Sequence, residues 1–187
     1  MIPHLIVIGA SAGGIDALQR LLGQLQPDFA AAIAIVLHLR DPRIDGLLNL
    51  LGKTCLLPVQ EARHGAPLRA GHVALAPGDY HLLIERSGCF ALSHDEKVCH
   101  ARPSIDVLFS SAADALGDRV CGIILSGGND DGARGLATIR AAGGRACIQQ
   151  PTDAQATEMP LAALLGAGAD LVDTADGIGR RLNQEPF

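Results

Sequence analysis

The apolar run Leu5-Ile6-Val7-Ile8 empties into Gly9-Ala10-Ser11-Ala12-Gly13-Gly14, and a helical pattern begins at once with Ile15 and Leu18. A strand apolar on both faces must be covered on both faces, which is the condition of a parallel sheet flanked by helices. The tight strand–turn–helix junction is how such sheets begin. The turn also carries chemistry. A Gly-x-Ser-x-Gly turn holds a serine hydroxyl clear of the backbone, as a nucleophile elbow does. A glycine-rich turn at a helix N-terminus is equally an anion cradle, as in dinucleotide-binding folds. The hexapeptide alone does not choose between these readings, nor between them and a serine that merely caps a helix.

The rest of the chain keeps the rhythm. Apolar strand candidates at 4–8, 32–37, 57–60, 119–125, 145–149 and, more weakly, 170–172 alternate with helical patterns at 14–25, 44–52, 104–116, 132–142 and 160–166. This predicts an α/β fold: a doubly wound, mainly parallel sheet in three layers, Rossmann-like in its general plan. From Gly71 to His94 the pattern alternates without a helix. Gly-containing joints there predict a short antiparallel section, a hairpin, which is taken to include the run around His72–Ala76. The end from Arg180 to Phe187 reads as frayed.

With 187 residues and no linker or internal repeat, the expectation is one domain over 1–187, with enough length to bury a core. Aromatics make up 3% and Trp is absent, so the core must be built on Ala, Leu, Ile and Val. A net charge of −5 argues against a nucleic-acid binder. The five cysteines (55, 89, 99, 121, 147) are scattered and never spaced as Cys-x-x-Cys, so neither a disulfide framework nor a zinc site is expected. Cys121 and Cys147 fall in apolar strand-like runs and read as buried thiols. His94, Cys99 and His100 lack the spacing and fourth ligand of a metal site. No secretory signal pattern opens the chain, and the longest apolar run, Phe29–Leu37, is too short to span a membrane. A soluble cytoplasmic protein without membrane insertion, cofactor or metal is expected.

In an open parallel sheet, ligands lie beyond the carboxyl ends of the strands. Ser11 follows the first strand, His38 follows the second, and the strand 119–125 empties into Ser126-Gly127-Gly128-Asn129-Asp130-Asp131-Gly132. A serine, a histidine and a carboxylate therefore reach one sheet edge independently. A serine hydroxyl needs a base to take its proton, imidazole suits that role, and a carboxylate fixes the imidazole tautomer and stabilises its cation. No histidine follows Asp130 or Asp131, so a triad here runs Ser–His–Asp, unlike the α/β-hydrolases, whose histidine comes last. The residues alone do not separate Asp130 from Asp131. One of the two is expected to cap the helix beginning near Gly132.

These pieces, together with Ala76-Pro77-Gly78-Asp79-Tyr80-His81-Leu82, Arg102-Pro103-Ser104-Ile105-Asp106-Val107-Leu108-Phe109 and Met159-Pro160, resemble the CheB-type protein-glutamate methylesterase domain over essentially the whole chain. The resemblance implies a serine hydrolase that removes methyl esters from glutamates of bacterial chemoreceptors and deamidates receptor glutamines. By position it assigns Ser11 as nucleophile, His38 as general base and acid, and Asp131 as orienting carboxylate. It implies backbone amides at Ala12 and Gly128 as oxyanion donors. The partner it implies is the methylated helix of a chemoreceptor, with regulation left to a separate receiver or regulatory protein, since the usual N-terminal receiver domain is missing from this chain.

The sequence departs from the family pattern in the site itself. Ala12 replaces the usual threonine, and Gly128-Asn129 replaces the usual Met-Gly. The altered 128–129 turn and the missing receiver keep open a non-catalytic interaction module on the same fold. A dinucleotide-binding oxidoreductase, with Asp41 on the ribose, is the remaining alternative, although Ser11 stands where that motif wants glycine. Arg102 matches a position of the resembled family and also reads as a solvated loop residue before a capped helix, and His81 reads as a surface strand residue.

Overall fold

The computed structural model describes residues 4–39 and 41–184. Seven strands form one parallel sheet: β1 (Leu5–Ala10), β2 (Ala32–Leu37), β3 (Val59–Glu61), β4 (Val73–Leu75), β7 (Val120–Ile124), β8 (Arg145–Gln149) and β9 (Leu171–Asp173). Their spatial order is β3-β4-β2-β1-β7-β8-β9. The chain adds strands on one side of β1 and then crosses to the other, so the switch point lies between β1 and β7. A separate antiparallel pair, β5 (His81–Ile84) and β6 (Phe90–Ser93), forms the expected hairpin.

Alternation along β1 shows why the sheet is covered on both sides. Ile6 and Ile8 join a core with α1 (Gly14–Leu22), α2 (Asp45–Thr54) and α6 (Ala175–Leu182). Leu5 and Val7 join a second core with α3 (Ile105–Leu116), α4 (Ala133–Ala141), α5 (Glu158–Gly166) and the hairpin. Successive side chains of a strand point to opposite faces, so an all-apolar strand feeds two cores. In the second core Phe109 is the largest fully buried side chain. Cys121 and Cys147 are buried free thiols, as expected. Among the described residues no helix is long and apolar enough to cross a membrane.

Three expectations need correction. The run around 73–75 does not belong to the antiparallel section; β4 pairs in parallel with both β2 and β3. Its three residues are too few for their pattern to reveal direction, and the sheet places them. The end is not frayed from Arg180, because Arg180–Leu182 close α6 and Leu182 is buried; the part at 185–187 lies outside the described residues. The helix α6 itself was not foreseen. Its glycines 177 and 179 lower helix propensity, yet the Gly179 backbone lies so close to Leu21 O that a side chain there would collide with it. Truncating the core tests the packing. Phe109→Ala should cost about 3–5 kcal/mol of unfolding free energy in urea, with little change in m.

Candidate active site

The sheet ladder sets the site. The β1–β2 register ends at Ala10 opposite Leu37, and His38 N–H still donates to Ala10 O at 3.0 Å. On the other side Leu125 N–H donates to Gly9 O, and Ser11 N–H donates to Ser126 O at 2.9 Å. Ser11 is thus held as the next rung of β1, with His38 on one flank and Ser126 on the other. It does not cap α1; Gly13 occupies that position, and no side chain caps that end of the helix. Nor is Ser11 among the left-handed residues. The turn is made by Gly13 at φ +75°, where an added Cβ would stand 2.7 Å from Ser126 Oγ.

Ser126 was not singled out from the sequence, yet it clamps the turn. Its buried hydroxyl donates to Ala12 O at 2.7 Å and accepts Ala156 N–H at 2.8 Å, while its own N–H goes to Gln149 Oε1. With Ala12 O tied down, and Ser11 O accepting Gly14 N–H, the N–H groups of Ala12 and Gly13 have no partner among the described residues. The exposed Gly128 N–H has none there either. Ala12 and Gly128 therefore stand beside the clefts with backbone donors to offer.

The acid is more elaborately held. Asp131 is fully buried, and its two oxygens accept four donors: His38 Nε2 at 2.9 Å, Ser104 Oγ at 2.9 Å, Ile105 N–H at 2.7 Å and Asp106 N–H at 3.0 Å. The last two are first-turn amides of α3, so Asp131 caps α3 rather than the helix that comes after it. That later helix, α4, receives its cap from Asp106, whose Oδ1 accepts Gly132 N–H at 3.0 Å and Gly135 N–H at 2.7 Å. Arg134 closes this exchange on Asp106 Oδ2 at 3.0 Å. The expected cap for the helix near Gly132 thus exists, but a residue distant in sequence supplies it. Asp130 is exposed and takes no such part.

Burial works to raise the Asp131 carboxyl, but the hydrogen bonds from His38, the two α3 amides and Ser104 outweigh it and hold the group below its ordinary value. The anion accepts, so His38 Nε2 carries the proton it donates, and the lone pair lies on Nδ1. That nitrogen faces Asn129, whose Nδ2 stands 3.5 Å away. Ser11 and His38 line the same two clefts, of about 430 and 780 Å³. In the first they are joined by Asp41, Lys97 and the loop 99–103, and in the second by Ile15, Gln19 and Gln155. Among the described residues the Ser11 hydroxyl has no hydrogen-bond partner, as is common before substrate tightens a site.

Two further readings change. His81 is not a surface residue; it is 2% exposed, accepts Ser104 N–H on Nδ1 and pairs its Nε2 with Glu96 O at 3.0 Å. It therefore fixes Ser104, which in turn binds Asp131. Nor is Arg102 solvated. Its side chain, 14% exposed, bridges Asp79 Oδ1 at 2.9 Å and the carbonyls of His94 and Asp95, tying together the loops that wall the first cleft. Asp41 is exposed and paired with Arg43, which takes its carboxyl down to about 2. Cys99, Asp106 and Asp131 place ligand atoms within 4.8 Å of one another. However, both carboxylates are filled by amide, imidazole and guanidinium donors, so the cluster does not fit a cation.

A serine on the rung after one strand, an imidazole on the next, and a buried carboxylate bonded to that imidazole are the groups that an acyl-transfer hydrolase combines. Comparison with known proteins decides the lineage: residues 6–182 match the family model described as CheB methylesterase. The chain belongs to the CheB methylesterase family. The crystal structure of the Thermotoga maritima CheB methylesterase catalytic domain superposes with a TM-score of 0.94 at 29% identity, covering 98% of this chain and 99% of that one. A protein of Leptospira interrogans is 41% identical over 183 residues, 96% of this chain and 94% of its own length. The protein-glutamate methylesterase/protein-glutamine glutaminase 2 of Anaeromyxobacter dehalogenans is 43% identical over 181 residues, and the match spans 53% of its length. Family membership replaces the dinucleotide reading of the glycine turn.

The cap on α3 makes a pH-dependent prediction. Because the folded state holds the Asp131 carboxyl below its unfolded value of about 3.9, its contribution to stability is complete above that pH and is lost as pH falls through the folded value. Ser104→Ala removes one donor to the anion, so it should cost about 1–2 kcal/mol at pH 7 and less at pH 3. Urea unfolding at the two pH values measures the difference, and an equal cost at both would contradict the ionised cap.

Proposed function

We infer that this chain is a serine hydrolase that cleaves glutamate methyl esters, and deamidates glutamines, on the helices of bacterial chemoreceptors. The observation that carries the reading is the His38–Asp131 pair at 2.9 Å beside Ser11 in shared clefts, within a chain of the CheB methylesterase family. Its relatives from Anaeromyxobacter dehalogenans and Symbiobacterium thermophilum are named protein-glutamate methylesterase/protein-glutamine glutaminase. The same reading puts the enzyme in the cytoplasm, with the receptor's cytoplasmic helices as its partner.

The mechanism is set by which nitrogen is free. Nε2–H is committed to Asp131, so Nδ1 takes the proton of Ser11 Oγ as Oγ bonds to the ester carbon. The carbonyl π pair moves to oxygen, where Ala12 N–H and Gly128 N–H are the backbone donors on offer. Collapse breaks the bond to methoxide, which leaves as methanol with the Nδ1 proton. Water, deprotonated by the same nitrogen, then releases the glutamate and regenerates Ser11. With a glutamine substrate the leaving group is ammonia and the remaining steps are unchanged. Asp131 stays ionised throughout and stabilises the imidazolium that forms twice in the cycle.

Methanol release from methylated receptor tests this directly. Ser11→Ala should lower turnover by at least about 10³-fold while leaving the fold intact, because triad members act as a unit. Turnover equal to that of the unsubstituted protein would overturn the assignment of the nucleophile.

A further inference from the structure

Asn129 is a polar side chain of the site to which the triad gives no role. It sits in the turn between β7 and α4, half-buried, and lines both clefts together with Ser11 and His38. Its amide has a defined orientation, since Oδ1 accepts Asp131 N–H at 3.2 Å, which leaves Nδ2 facing His38 Nδ1. The turn is anchored around it. Gly127 N–H donates to Ala156 O, Met159 N–H donates to Gly127 O, and Asp131 is fixed by its own four bonds. At Gly128, immediately before it, no atom beyond the adjacent residues lies within 4 Å of where a Cβ would be, and Asn129 itself lines both clefts.

We propose that Asn129 is a catalytic residue whose side-chain amide binds the ester carbonyl oxygen of the substrate as it becomes an oxyanion. The proposal rests on the reading of Ser11 as nucleophile. In the resting protein the amide is parked: its 3.5 Å contact with Nδ1 is at the limit of a hydrogen bond, and its second N–H has no acceptor among the described residues. A donor already oriented, weakly engaged and beside the nucleophile costs little to redirect.

The arriving carbonyl oxygen accepts the hydrogen bond from Nδ2–H in place of His38, and the Nδ1 lone pair is released for the Ser11 proton. As Oγ bonds to carbon, the π pair moves onto the oxygen held by Asn129. When the C–O bond to methoxide breaks, the carbonyl re-forms, methoxide takes the proton from Nδ1, and the amide returns to the imidazole. Substrate binding and unmasking of the base are thus one event.

Two variants separate this role from a structural one. Asn129→Ala removes both the donor and the acceptor for Asp131 N–H, whereas Asn129→Asp keeps that acceptor and removes the donor. With methylated receptor as substrate, both should lower kcat by about 10²–10³-fold, with KM within about threefold of the unsubstituted protein. The melting temperature of Asn129→Asp should stay close to that of the unsubstituted protein. A kcat retained in Asn129→Asp, or a loss confined to KM in both variants, overturns the proposal. Ser11→Ala run alongside distinguishes the failures. Turnover that does not depend on Ser11 defeats the nucleophile assignment and this inference together. Turnover that depends on Ser11 but is indifferent to Asn129 defeats this inference alone.

Discussion

The structure around the site depends on one exchange: Asp131 caps α3 while Asp106 caps α4. Each carboxylate stands at the start of one helix and serves the amides of the other. Burying a carboxylate costs several kcal/mol unless donors and opposite charge replace water. Here the positive ends of two helices face the two anions, and free first-turn amides supply the hydrogen bonds. The two helices lie on the same face of the sheet as Leu5, Val7 and Phe109, so the electrostatic lock and the second core reinforce each other. Neither helix can shift without uncapping its neighbour.

The lock explains how the chemistry is aimed. With three of its four hydrogen bonds committed to α3 and Ser104, Asp131 is a fixed anion, and the remaining direction is filled by His38 Nε2. Imidazole orientation and tautomer are therefore inherited from helix capping. His81 extends the chain outward: by accepting Ser104 N–H it sets the residue whose hydroxyl binds Asp131 Oδ1. The β5 histidine thus acts on the His38 ring through three successive hydrogen bonds and the loop serine through two.

Much of this was legible in the sequence because strand ends are legible. Continuous apolar runs located β1, β2 and β7, and the residues just past each run are those that a parallel sheet presents at its carboxyl edge. That was enough to bring Ser11, His38 and the Asp130-Asp131 pair together. The identity of partners distant in sequence stayed hidden. An aspartate before a helix reads as that helix's cap, and nothing in the local pattern says that the amides of residues 105 and 106 compete for it. His81 comes after a Pro-Gly turn and reads as exposed, because burial is decided by the 94–104 segment folding over it. Short β4 gives no sign of its direction without the sheet, and α6 keeps helical spacing of its buried residues but is disguised by glycines 177 and 179, which lower helix propensity.

The serine itself shows how the scaffold substitutes for strain. In a sharp nucleophile elbow the serine occupies the strained position of the turn. Here the positive φ falls two residues later on Gly13, where it costs little, and Ser11 continues the β1 ladder between His38 and Ser126. Its backbone is then set by the pairing that sets the sheet, and Ser126 holds the Ala12–Gly13 peptide through Ala12 O. A serine mounted on a rung of the sheet ladder, with the positive φ left to glycine, needs no stored energy to stay in place. The imidazole on the neighbouring strand is oriented by a helix cap, so the backbone ladder sets Ser11 while the capping network sets the His38 ring.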